Sequence, residues 1–86
     1  MGIVNRIDMF TETNAKLFKS TTNDDLLVVI FNYNQTPNYQ VSMNIEHKDG
    51  NRETAEFYPL ETYRNIIKQD SFKNQWKIVP NDYIVE

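Results

Sequence analysis

The side chains able to do chemistry in this chain are few and poorly matched to one another. A hydroxyl or thiol nucleophile needs a base beside it. The single histidine, His47, lies five residues from Ser42, with Ser20 and Ser71 farther along the chain. There is no cysteine, which excludes a thiolate nucleophile, a disulfide framework and any Cys-based zinc or iron–sulfur centre. One histidine cannot build a multi-histidine metal site, and Asp24-Asp25 lacks the spacing and distal Glu of a calcium loop. Gly2 and Gly50 are the only glycines, too few for a phosphate-cradling loop. Glu46, Glu53 and Glu56 surround one expected hairpin, and paired carboxylates can flank a glycosidic bond. Turn aspartates, however, commonly bond their own backbone, strand glutamates face water, and a domain this small has little room for a cleft. The expectation is a protein that is not an enzyme and needs no cofactor or metal.

Recognition chemistry is better supplied. The 86 residues carry 9 Lys plus Arg against 12 Asp plus Glu, a formal net charge of −3. A stripe built for non-specific phosphate binding would tilt the other way. Exposed aromatics on a sheet, with Tyr33 and Tyr58 as candidates, could stack bases, so single-stranded nucleic-acid binding stands as an alternative reading. Meander followed by helix is also the element order of positive-cofactor-type single-strand DNA-binding domains, which the chain resembles in that order alone. Lys16 and Lys19 give it only a weak basic cluster. Eleven asparagines and five tyrosines against two glycines fit the codon usage of an AT-rich genome, and low-GC bacteria or their phages are the expected source.

The elements that must position these groups follow from hydrophobic period. Tyr39 to Glu46 alternates apolar and polar strictly, the pattern of a half-buried strand. Tyr39, Val41, Met43 and Ile45 face a core; Gln40, Ser42, Asn44 and Glu46 face outward. A three-residue loop, Lys48-Asp49-Gly50, pairs His47 with Asn51 and puts Gly50 at the left-handed position of a bulge. That register sets Met43 opposite Ala55 and Val41 opposite Phe57, all inward, with Glu46 opposite Arg52 and Ser42 opposite Glu56 outside. Leu26 to Tyr33 is apolar on both faces, as a central strand would be. Ala15 to Ser20 reads as an edge strand. Pro59 to Lys68 reads as a helix whose Leu60, Tyr63 and Ile67 pack on the sheet. Ile3 to Phe10 suits helix or strand equally. Asp70 to Glu86 reads as a short irregular tail, in which Asp70 or Ser71 could start a helical turn through Phe72 and Trp76, while Trp76-Lys77-Ile78-Val79 and Tyr83-Ile84-Val85 resemble short strands split by Pro80. The expected fold is one α+β domain over residues 1–86, an antiparallel three- to four-stranded meander with one helix on one face.

No apolar run exceeds six residues, where a spanning helix needs about 20. The opening Met-Gly-Ile-Val-Asn-Arg-Ile-Asp lacks a signal-peptide core, so the expected location is the cytoplasm. The strand apolar on both faces, beside one polar on its outer face, leaves apolar surface that demands a cover, and exposed apolar patches commonly mark interfaces. The expected function is therefore protein binding, in the form of a phage or mobile-element accessory protein that inhibits a host nucleic-acid enzyme or defence system. Asp24, Asp25, Gln40, Ser42, Asn44, Glu46, Asp49, Glu53 and Glu56 are the expected partner-binding residues, the acidic ones by complementarity to a basic face. A small core also leaves a homodimer open.

Overall fold

The computed structural model describes residues 14–84. Five strands, β1 (Ala15–Ser20), β2 (Leu26–Phe31), β3 (Val41–Glu46), β4 (Glu56–Tyr58) and β5 (Trp76–Val79), form one antiparallel sheet in the order β4-β3-β2-β1-β5. Two helices, α1 (Leu60–Lys68) and α2 (Asp70–Gln75), carry the chain from the β4 edge to the β5 edge. The expected three or four strands are thus five, and β1 lies inside the sheet rather than at its edge. The tail from Asp70 is a helix and a strand. It is fixed by the Thr21 amide and hydroxyl, which donate to the carbonyls of Gln75 (2.9 Å) and Asn74 (2.7 Å). The segment Ile3 to Phe10 lies outside the described residues.

Strand alternation sorts the side chains into two cores. On the helix side Phe18, Leu27, Val29, Phe31, Val41, Tyr63 and Trp76 are buried together, with Met43, Ile45, Leu60, Ile67 and Phe72 packed against them. Phe72 meets Phe18 edge-on at 5.2 Å, and Tyr63 meets Phe31 edge-on at 5.3 Å, geometries the ring quadrupole favours. Helix α1 starts after Pro59, whose φ of −61° suits helix entry. It stops where Gln69 turns extended, after presenting Leu60, Tyr63 and Ile67 to the sheet.

The opposite, outer face has a core of its own. Leu17, Leu26 and Val28 are buried there within one chain, with Ile30, Val79 and Tyr83 packed on them. The apolar outward side of β2 is therefore covered over Leu26 and Val28 within the chain itself, and those two residues need no partner as a cover.

The β3–β4 hairpin begins as expected and then departs. Gly50 has φ 93°, the His47 amide donates to Asn51 (2.7 Å), and Glu46 bridges to Arg52. Beyond Glu53, whose amide reaches the Ile45 carbonyl at 2.8 Å, the register slips by one. Val41 pairs with Tyr58, Ser42 with Phe57 and Met43 with Glu56. Three residues, 53–55, occupy the span that Asn44 and Ile45 cover on β3, the one extra residue of a β-bulge. A slip of one exchanges the faces. Phe57 therefore lies on the outer face instead of under α1, and Glu56 lies opposite Met43 rather than Ser42.

Candidate functional site: an aromatic hollow beside a histidine clamp

The slip assembles a row on the outer face. Ile30, Ser42 and Phe57 are in register across β2, β3 and β4. Tyr39, delivered by a single 3-10 turn at Pro37–Tyr39, sets its ring 5.6 Å from that of Phe57 at 64°. The two rings are 54% and 50% exposed, far more than aromatics spent on a core. With Asn32 and Gln35 they enclose an open hollow of about 340 Å³ lined by Ile30, Asn32, Gln35, Tyr39, Ser42 and Phe57. None of these six carries a charge.

The backbone beside the hollow is also available. The Asn32 amide donates to the Gln40 carbonyl at 2.7 Å, so even-numbered residues of β3 turn their peptide groups toward β2. Antiparallel alternation then makes Val41–Tyr58 and Met43–Glu56 the hydrogen-bonded pairs with β4. The peptide groups of Phe57 point away from β3, and among the described residues β4 is the last strand on that side of the sheet.

The other aromatics expected to stack bases sit elsewhere. Tyr33 is exposed but lies over Phe31, ring to ring at 6.1 Å and 5°. Tyr58 is half-buried and faces the helix side; desolvation first, then the Glu56 carboxylate, holds its hydroxyl above the usual tyrosine range. Burial does the same for Tyr63, with a smaller contribution from Tyr33.

Of the expected acidic residues, Asp24, Asp25, Glu46, Asp49 and Glu53 cluster at the opposite end of the hairpin and are largely engaged within the molecule, whereas Glu56 lies on β4 opposite Met43 and beside Tyr58. His47 places Nδ1 3.0 Å from Asp25 Oδ1 and Nε2 3.0 Å from Glu53 Oε2. Hydrogen bonding to Asp25 is the largest cause of a raised His47 pKa. Desolvation opposes it, and the charge of Asp25 and both effects of Glu53 add to it. Asp24 pairs with Lys48 at 3.3 Å and Lys19 at 4.0 Å, and Glu46 with Arg52 at 2.9 Å. Asp49 accepts from the backbone amide and side chain of Asn51, each at 3.0 Å. Of the polar residues expected to bind, Ser42 lines the hollow, Gln40 borders it through Gln35 (3.5 Å), and Asn44 lies one outward position farther along β3, opposite Val28.

An Asp–His pair is half of a nucleophilic triad. Here the second ring nitrogen meets a carboxylate rather than a hydroxyl, so the pair cannot activate a nucleophile in this arrangement. Among the described residues no group of three His, Cys, Asp or Glu is placed to hold a metal ion, and no helix is long and apolar enough to cross a membrane. No family model, curated protein or solved structure matches the chain. What the fold displays on this face is an exposed, uncharged aromatic hollow.

Sequence reasoning missed Ile30, Asn32, Gln35, Tyr39 and Phe57 as members of that surface. Strict alternation turns Tyr39 inward, and the unslipped hairpin register, Val41 opposite Phe57, does the same for Phe57. The one available signal was Pro37, which starts the 3-10 turn and takes Tyr39 out of the strand.

Proposed function

We propose that this protein is a non-catalytic protein-binding module whose partner seats on the outer face around Tyr39, Phe57 and Ile30. The observation that carries the reading is the hollow itself: two half-exposed aromatics over an aliphatic floor, ringed by uncharged amide and hydroxyl groups. Aromatic anchors within a polar rim are the composition of binding hot spots. The outward peptide groups of Phe57 add a place for an extended segment to hydrogen-bond by strand addition.

A narrower form of the proposal, inhibition of a basic nucleic-acid enzyme through the acidic hairpin end, draws less support. Asp24, Asp25, Glu46 and Glu53 already face cations or His47 within the chain. Single-strand nucleic-acid binding gains from the exposed rings of Tyr39 and Phe57, since bases stack on such platforms. It lacks a phosphate partner, because no Lys or Arg lines the hollow.

The test is differential capture from a cell lysate with the wild-type chain and a Tyr39→Ser/Phe57→Ser variant as baits, followed by reconstitution of the purified partner. A protein held by wild type and lost by the variant, with an affinity drop of about tenfold or more, supports the reading. Identical captures by both baits would overturn it. Salt-sensitive binding of an oligonucleotide instead would select the nucleic-acid reading.

A further inference from the structure

We propose that His47 is a proton-controlled clamp on the β3–β4 bulge: protonated, it holds Asp25 and Glu53 at once; neutral, it releases Glu53. The stereochemistry requires the asymmetry. An imidazolium donates from both ring nitrogens, whereas a neutral ring donates from one and presents a lone pair at the other. With carboxylate oxygens 3.0 Å from each nitrogen, loss of the proton leaves one oxygen facing a lone pair. Asp25 has the less exposed side chain, 23% against 55% for Glu53, and Glu53 is therefore the group that turns to water.

The groups surrounding the ring confine the effect. Among the described residues these are Asp24 and Asp25 of the β1–β2 turn, Lys19 at the end of β1, Lys48 and Asp49 of the hairpin loop, and Glu46, Arg52 and Glu53 of the hairpin arms. Lys48 pairs with Asp24 and Arg52 with Glu46 on either side of the ring. What the proton controls is residues 53–55, the stretch that slips the register and turns Phe57 outward. Control of partner binding by this clamp rests on the docking proposed above; the clamp itself does not.

Amide hydrogen exchange of the intact chain, read by NMR from pH 5.5 to 8.5 and corrected for intrinsic rates, tests the clamp without any partner. His47 is expected to titrate with a midpoint above its ordinary 6.5. Protection of the Glu53 and Glu56 amides is expected to fall about two- to fivefold across that midpoint, the change an exposed ion pair commands, while Val28 keeps its protection. Glu53→Gln is expected to lower the His47 midpoint and abolish the step, and His47→Gln to show the weaker protection at every pH. A titrating His47 with no step at Glu53 would overturn the proposal, as would an equal step at Val28. Failure to find a partner leaves these outcomes unchanged, so the clamp and the docking surface fail separately.

Discussion

At the residue scale, His47 couples proton binding to folding. Its folded pKa lies above the unfolded 6.5 because the ring gains Asp25 and Glu53. The stabilisation is fully present below pH 6.5 and is lost as pH rises through the folded value. Urea titrations of the wild-type chain are therefore expected to show stability falling as pH rises above 6.5, and His47→Gln to flatten that stretch of the profile. The two carboxylates that hold the ring could not be read from the sequence. Asp25 lies 22 positions away, and only the pairing of β2 with β3 brings its turn beside the hairpin. Gly50, by contrast, was legible: Asp49-Gly50 names a residue that must take positive φ, and the loop length follows from matching the apolar faces.

At the element scale, the chain displays its regular parts and conceals its irregular one. Alternation over Tyr39 to Glu46, the apolar run from Leu26 and the helical spacing of Leu60, Tyr63 and Ile67 are each local patterns, and each became the expected element, with Tyr39 alone drawn out of its strand into a 3-10 turn. The bulge at 53–55 has no such marker. Glu53-Thr54-Ala55 contains neither glycine nor proline, and the unslipped register looked better because it buried Phe57. The actual register buries the Tyr58 side of β4 instead. Strand β5 was legible only as a resemblance, Trp76-Lys77-Ile78-Val79 ahead of Pro80, because four residues are too few to show a period and their pairing with β1 spans most of the chain. Its weight is nonetheless large on one side. Trp76 is buried in the helix-side core and Ile78 is exposed. Trp76→Ala is expected to cost about 3–5 kcal/mol and Ile78→Ala to stay within about 0.5 kcal/mol, a contrast that urea midpoints will read. Equal losses would mean that Ile78 is covered as Trp76 is.

At the scale of the whole molecule, two cores flank one sheet, and the outer core is closed within a single chain at Leu17, Leu26 and Val28. Leu17→Ala is expected to cost about 2–5 kcal/mol, with an unfolding midpoint independent of protein concentration. A midpoint that climbs with concentration would mean that a second copy supplies the cover. What stays open is the other end of that face, where Tyr39 and Phe57 meet over Ile30, and the functional account depends on Phe57 being there. The most direct measurement is a two-dimensional NOE spectrum with Phe57 assigned. Cross-peaks from its ring to Tyr39 and to the Ile30 methyls are the predicted result; cross-peaks to Val41 and Tyr63 would return Phe57 to the helix side and remove the hollow.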